Sequence, residues 1–322
     1  MRGRKMKTAI ILVTYNGWEM TQNCLRDLSA QLADKKNYVV AVADNASTDG
    51  TPENIRKNFP SVHVYPCEGN LGFGRANNLA IRSLIRDGEN FDAICLLNND
   101  TRFDSQMIPQ LRDAFDLQIK TCKYAIVVPR VQNPDGSEQP NYFAGLGPEG
   151  IGSIPFFTNA FRNEVQAARI LQGKPAYKGG YAETHWASGV CWMLGRSLYD
   201  ELQKEGEFFD ERIFMYYEDA DLALRARKLG ARFFICNKVE LTHLGGGSSE
   251  GNLKRALQHD RAQQYVFKKH FGFRGYLLSK SFRFCRSLVR ISASLPRCLG
   301  KNGSRNRVYV KHHLALLKEA LW

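Results

Sequence analysis

Residues 94–104, ICLLNNDTRFD, decide the fold. Ile94, Cys95, Leu96 and Leu97 form an unbroken apolar run, as expected of a strand covered on both faces in a parallel sheet. The run stops on Asn98, Asn99 and Asp100 instead of the Gly or Pro of an ordinary turn. Upstream, the same layout recurs three times: TAIILVTY (8–15), YVVAVADN (38–45) and VHVYPC (62–67) are short apolar runs that end in polar residues. Between them lie helical patterns, WEMTQNCLRDLSAQ with Met20, Cys24, Leu25 and Leu28 on one face, TPENIRKNF with Pro52 in its first turn, and RANNLAIRSLIRDG. Alternating strands and helices predict an α/β fold with a mostly parallel central sheet flanked by helices. In such sheets ligands bind at the carboxyl ends of the strands. Four exits therefore converge: Thr14-Tyr15-Asn16, Asp44-Asn45, Glu68-Gly69-Asn70 and Asn98-Asn99-Asp100.

The chain has 322 residues, 43% hydrophobic and 24% charged, enough to bury a large core. It has no apolar window of 18 residues, and the lead Met1–Lys7 is basic, with too few apolar residues after it for a secretory h-region. The expectation is a protein that stays in the cytoplasm. Its eight cysteines form no Cys-x-x-Cys pair and sit mostly in apolar runs, so they read as reduced core thiols. The net charge of +13 is unevenly spread: residues 254–322 hold 16 of the 45 Lys and Arg but only Asp260 and Glu319 of the 32 acids. A near-neutral body argues against a nucleic-acid-binding protein, which needs cations and aromatics on one recognition face. In residues 274–295, Tyr276, Leu277, Phe282, Phe284, Leu288 and Ile291 interleave with Lys280, Arg283, Arg286 and Arg290. That run suits either an anionic membrane surface or a helix packed on the body with a solvated basic face.

Residues 131–183 are rich in Gly and Pro and read as long loops. Strand-like GVCWMLG, helical SLYDELQKEG, then FFDERIFMYYEDADLALRARKLG and ARFFICNKVELTHLGGG complete the pattern. Taken singly, the polar motifs have two readings each. Asp100 suits a divalent cation beneath a diphosphate, or an Asx turn. Asp44 suits a nucleobase N–H, or a capped turn. GNLGFGRANN lacks the third glycine of a dinucleotide fingerprint, leaving a turn whose backbone can approach a ligand, with Arg75 and Asn77 beside it. Asp221 and Arg225 stand at i,i+4 as a helix-surface ion pair. Glu218 and Asp219 open that helix as caps or as a general base. His243 is a structural histidine or a second, neutral ligand beside Asp100.

In order, TYN, VADNASTDGT, GNLGFGRANN, LLNNDT, YYEDADLALRARKLG and THLGGGS resemble glycosyltransferase family 2, in its bacterial rhamnosyltransferase-like and galactofuranosyltransferase-like branch. The resemblance spans about residues 7–272. It implies a GT-A fold, Rossmann-like, with a nucleotide-diphosphate sugar donor, a divalent metal (Mg2+ or Mn2+) and inversion at the anomeric carbon. It further implies donor contacts from Thr14, Tyr15, Asn16, Asp44, Asn45, Asn70, Gly72, Asn77, Asn98 and Asn99, metal ligation by Asp100 and His243, and Asp219 as catalytic base. Trp186, Gly189 and Glu218 fall on the acceptor side. Where the family has Asp-x-Asp this chain has Asn98-Asn99-Asp100, so its ion loses one formal charge.

The implied division is a glycosyltransferase domain over 1–272, with its nucleotide-sugar half at 1–130 and acceptor half at 131–272, and a basic amphipathic helical extension over 273–322. The implied reaction moves rhamnose from dTDP-rhamnose to a lipid-linked saccharide in cell-surface polysaccharide synthesis, at the inner face of the membrane. A hexose or galactofuranose from a UDP donor is the alternative. A sugar-nucleotide pyrophosphorylase would need a basic Gly-rich first loop, and ILVTYNGWEM has no Lys or Arg.

Overall fold

The structure, a computed structural model, describes residues 7–143, 175–245, 253–295, 307, 310–311 and 313–318. Most of the Gly- and Pro-rich middle, the basic lead before Lys7 and much of the tail lie outside them. The chain divides into two compact units: among the described residues, the larger holds 7–142, 175–214 and 218–245, and the smaller holds 143, 215–217 and everything from 253 onward.

In chain order the strands are β1 Thr8–Thr14, β2 Tyr38–Asp44, β3 His63–Pro66, β4 Ala93–Leu97, β5 Thr101–Arg102, β6 Ala125–Gln132, β7 Tyr142–Phe143, β8 Tyr181–Thr184, β9 Trp186–Ala187, β10 Cys191–Gly195 and β11 Arg232–His243. The helices are α1 Trp18–Asp27, α2 Ser29–Ala33, α3 Thr51–Asn58, α4 Phe73–Arg86, α5 Met107–Gln118, α6 Arg196–Lys204, α7 Glu218–Lys228 and α8 Leu253–Ser294. In the larger unit a nine-stranded sheet runs β3-β2-β1-β4-β10-β6-β11-β5, with β8 paired to β11. β1, β2, β3, β4, β6 and β11 point one way, and β10 is antiparallel to both β4 and β6. The mostly parallel sheet expected from the sequence is present. Strand order reverses between β1 and β4, which opens a crevice at their carboxyl ends.

Alternation along the strands feeds two cores. Ala9, Ile11, Ala41, Ile94, Leu96 and Trp192 pack on one face with Ile81 and Leu84 of α4. Ile10, Leu12, Val42, Cys95, Leu97 and Met193 pack on the other with Leu25 of α1 and Leu111 and Phe115 of α5. Each of the buried Ile, Leu, Val, Phe and Met side chains contributes about 1.5–3 kcal/mol by leaving water, and strands covered on both faces carry no polar alternation. Cys24, Cys67, Cys95, Cys122, Cys191, Cys236 and Cys285 are free thiols, and all but Cys285 are buried.

One expectation is corrected. The Asp221–Arg225 pair on α7 is internal, not on the helix surface: the Asp221 side chain is fully buried and that of Arg225 is 12% exposed, with Nε 2.9 Å from Oδ2. The guanidinium also donates to the carbonyls of Glu207 (2.9 Å) and Phe208, so it ties the loop before α7 to the helix. In the smaller unit, α8 breaks at Gly272, where φ is 64°, and its two halves fold back on one another as a helical hairpin.

Candidate active site

The in-register pairing of β1 with β2 sets Thr14 opposite Asp44, and the loops beyond are laced together. Asn16, at φ 48°, donates its N–H to Ser47 Oγ at 2.8 Å and accepts at Oδ1 from Thr48 N–H at 2.7 Å. Trp18 N–H donates to Asp49 Oδ2 at 3.3 Å. Asp44 makes the capped turn. Oδ2 accepts from Ser47 N–H at 2.9 Å as a turn would, while Oδ1 is buried without a hydrogen-bond partner among the described residues. A buried acceptor left open in a crevice is a place for a ligand N–H or O–H.

Several residues expected at the donor make side-chain hydrogen bonds within the protein. Thr14, Thr21 and Asn99 form one polar cluster, with Asn99 Nδ2 donating to Thr21 Oγ1 at 2.9 Å and Thr14 Oγ1 at 3.3 Å, so the β4 exit is fastened to α1. Asn45 donates to Gly72 O at 3.2 Å and accepts from Leu71 N–H at 3.2 Å; Asn70 accepts from Gly72 N–H at 3.1 Å; Asn77 donates to Phe73 O at 2.9 Å. These three amides shape the Gly-rich turn. Tyr15, by contrast, is 52% exposed at the β1 exit.

That turn is pressed against the loop leading to α7. Phe73 N–H donates to Phe214 O at 3.1 Å, and a Cβ on Gly72, whose φ is +81°, would stand 1.9 Å from the same oxygen. Gly74 lies against Phe209, and Asn78 clamps the Phe209 backbone from both sides, donating to its carbonyl at 2.8 Å and accepting from its N–H at 2.9 Å. Arg75 and Arg82 reach Glu211 at 3.3 and 2.9 Å, so Arg75 is engaged with a carboxylate.

At the β4 exit, His243 pairs across the sheet with Thr101, which brings its Nε2 to 3.2 Å from Asp100 Oδ1. Its Nδ1 lies 3.0 Å from Gln139 Oε1. With the proton on Nδ1 donated to Gln139, Nε2 turns a lone pair toward a carboxylate oxygen. Two acceptors that close repel unless a cation or a proton lies between them. Asn98 Oδ1 is a further buried acceptor without a partner among the described residues. The pair, one carboxylate and one imidazole, fits a divalent cation that takes its remaining ligands from a diphosphate. Among the described residues there is no cluster of three or more His, Cys, Asp or Glu able to hold an ion without such help.

Asp219 stands in the first turn of α7. Its Oδ2 accepts from Gly189 N–H at 3.0 Å and its Oδ1 from Ala220 N–H at 2.7 Å, which fixes the carboxylate plane. A Cβ on Gly189 would stand 3.4 Å from Asp219 Cβ, in van der Waals contact with it. The preceding segment is anchored in the core: Ser188 N–H donates to Asn141 O at 2.7 Å, and the fully buried Trp192 donates from Nε1 to Ser188 O at 2.8 Å. Trp186, half-buried, opens β9, against which α7 packs. Glu218 differs from its neighbour. Its Oε2 is buried without a partner among the described residues, and burial, with the Asp219 charge beside it, pushes its carboxyl up to about 8. Burial and the neighbouring charge both favour the protonated form of Glu218.

Gln139, Asn78 and Trp192 are the site's unforeseen supports. A Trp at the start of a buried strand hints at an anchor, whereas nothing local marks Gln139 or Asn78.

The chain was compared with known proteins. The profile of the family described as "Glycosyl transferase family 2" matches residues 9–202. The N-acetylglucosaminyl-diphospho-decaprenol L-rhamnosyltransferase of Mycobacterium tuberculosis is 29% identical over 309 residues, covering 88% of this chain and 94% of that protein. The low-salt glycan biosynthesis hexosyltransferase Agl10 of Haloferax volcanii is 24% identical over 288 residues, covering 88% and 78%. Among solved structures, the mannosyltransferase PcManGT from Pyrobaculum calidifontis, in complex with GDP-Man and Mn2+, aligns with a TM-score of 0.58 at 14% identity over 99% of this chain and 88% of that one. GalNAc-T7 with UDP, GalNAc and Mn2+ aligns with a TM-score of 0.52 at 13% identity over 97% and 55%. The fold they share with this chain is GT-A.

Proposed function

The chain belongs to glycosyltransferase family 2 and is a glycosyltransferase, and from that premise we propose that it moves rhamnose from dTDP-rhamnose to a lipid-linked saccharide, with inversion, in cell-surface polysaccharide synthesis. The observation that carries the reading is the 3.2 Å approach of His243 Nε2 to Asp100 Oδ1 at the strand exits, and Asp219, held by the Gly189 N–H, supports it. The mycobacterial relative, whose name joins L-rhamnose to a lipid-diphosphate N-acetylglucosamine, supports the choice of sugar and acceptor. The hexosyltransferase relative favours a second reading, a UDP-hexose or galactofuranose donor at the same site.

In the proposed mechanism, Asp44 Oδ1 receives an N–H of the donor base, and the exposed ring of Tyr15 lies beside it. The Gly72 turn offers backbone to the diphosphate and sugar. Asp100 and His243 would hold Mg2+ or Mn2+, which when bound neutralises charge on the departing diphosphate, with Asn98 on the donor side. Asp219 takes the proton from an acceptor hydroxyl, whose oxygen attacks the anomeric carbon in line, so inversion follows without a covalent intermediate. Protonated Glu218 leaves Asp219 as the sole anion of the pair, and Trp186 with Gly189 walls the acceptor. Residues 1–130 serve the donor and 131–272 the acceptor. The basic residues 273–322 hold the enzyme peripherally on an anionic membrane, at the cytoplasmic face. Among the described residues no helix is long and apolar enough to cross one.

The test is a panel of dTDP-, UDP- and GDP-sugars with Mg2+ or Mn2+, read by thermal shift and by transfer to a polyprenyl-diphospho-N-acetylglucosamine. A ligand at 100 times its Kd adds about 2.7 kcal/mol. The expected result is stabilisation and transfer with dTDP-rhamnose and release of dTDP. Release of pyrophosphate, or no response to any nucleotide sugar, would overturn the reading.

A further inference from the structure

Beyond its turn at Gly272, α8 is inside out. Arg283 Nη1 donates to Asp260 O at 2.9 Å on the first half of the hairpin, its Nε lies 3.1 Å from Asp260 Oδ2, and Arg286 reaches Oδ1 at 3.5 Å. Ser279 Oγ donates to Gln263 Oε1 at 3.4 Å, and Gly275 is so close to Phe271 that its Cβ would meet that side chain at 2.4 Å. At 100° per residue, Gly275, Ser279, Arg283, Ser287 and Ser294 share one face, and all five are buried. The opposite face carries Phe273, Leu277, Leu288 and Leu295, exposed by 67, 46, 40 and 54%, with Phe284 and Ile291 partly exposed on the same line. Water favours the reverse arrangement. A helix that spends Gly, Ser and a paired Arg on its inner face and six large apolar residues on its outer face is built for apolar cover.

Charge decides what covers it. Arg274 is exposed, Lys280 and Arg290 are partly so, and Lys268 and Lys269 are exposed on the first half of the hairpin. From Arg261 to Lys318 the sequence has no Asp or Glu, and Asp260 is buried against Arg283. A second copy would bring the same positive charge against this face, whereas an anionic bilayer accepts both the apolar stripe and its cationic border. We propose that the line Phe273, Leu277, Phe284, Leu288, Ile291 and Leu295 is a docking surface for an anionic lipid bilayer. The helix lies along the interface for about 33 Å and buries its stripe among the acyl chains. This rests on the membrane reading given above and deepens it, since Arg283 and Arg286, turned to Asp260, drop out of the lipid contact.

The test is co-sedimentation of the full chain with phosphatidylcholine vesicles, with and without phosphatidylglycerol, for the native protein and for the double variant Leu277→Ser, Leu288→Ser. Thermal stability, molecular mass in solution and sugar transfer to a soluble acceptor are measured alongside. The native chain is expected to bind only the anionic vesicles, and the double variant to lose about tenfold or more in partitioning with an unchanged Tm and unchanged transfer. If native and variant bind equally, the stripe is overturned and the membrane reading stands. If the native chain binds no vesicles, the membrane reading itself fails. A native dimer that the variant makes monomeric would assign the stripe to a second copy and overturn the proposal. Loss of transfer by the native chain would bear on the glycosyltransfer reading alone.

Discussion

His243 Nε2 lies 3.2 Å from Asp100 Oδ1, and the other ring nitrogen of His243 lies 3.0 Å from the side-chain oxygen of Gln139. The contact to Gln139, 104 positions away, fixes the orientation of the ring. Asp100→Ala is predicted to abolish Mn2+-dependent donor binding. Gln139→Ala, which leaves both ligands in place, should weaken Mn2+ affinity by about tenfold, the usual effect of removing a partner behind a metal ligand. Titration calorimetry of Mn2+ with donor present measures both, and full transfer in EDTA would remove the metal from the account.

Gly72 is irreplaceable on steric grounds. An alanine there combines a left-handed backbone with a Cβ 1.9 Å from Phe214 O, so the turn and the loop before α7 must separate. Gly72→Ala is predicted to cost about 1–3 kcal/mol from backbone strain alone and to lower donor affinity. Denaturant unfolding beside donor binding checks it; Gly88→Ala, also at positive φ but with open space around it, should leave donor affinity intact.

Burial separates two ion pairs of equal spacing. Asp221→Ala strands the Arg225 guanidinium inside the fold and should cost about 3–5 kcal/mol. Asp200→Ala breaks the Arg196–Asp200 pair, in which Asp200 is 47% exposed, and should cost less than about 1 kcal/mol. Equal midpoint shifts in urea would contradict the assignment of the first pair to the interior.

How much of this was legible in the sequence depended on the range of the interaction. The strand exits were, because a strand covered on both faces must be continuously apolar, so Asn98-Asn99-Asp100 after Leu97 stands out against its own neighbours. The side-chain directions beyond those exits were not: no local pattern says that the Asn45 amide meets Gly72 O or that the Asn77 amide meets Phe73 O. Asn78 and Gln139 act on residues more than 100 positions away, and no local pattern encodes such an approach. The Asp221–Arg225 spacing fixes that the two meet, but what packs over them is decided by the loop at Glu207 and Phe208. Helix α8 shows the limit of periodicity: Arg283 and Arg286 read as cations of an outer face, and the fold turns both inward to Asp260.

Glu218 gives the protein a pH signature. Its carboxyl titrates ordinarily near 4.5 and in the fold at about 8, because burial and the adjacent Asp219 charge both oppose ionisation. Between those values the folded chain holds a proton that the unfolded chain has lost, so stability is greatest below the lower value and falls as pH rises toward 8. Glu218→Gln cannot ionise and should flatten this decline. Thermal unfolding of both proteins from pH 5 to 8.5 tests it, and parallel curves would show that Glu218 is already ionised in the fold.

The central claim is that Asp219, and not Glu218, takes the acceptor's proton, and single-turnover transfer measured together with donor binding tests it most directly. Asp219→Asn keeps the size but removes the base, while Gly189 still has an oxygen to donate to. Donor affinity should survive and transfer should fall by roughly 10²-fold or more. Glu218→Gln replaces a neutral acid with a neutral amide and should retain most of the rate. Transfer near the native rate by Asp219→Asn, with a collapse in Glu218→Gln, would contradict the assignment.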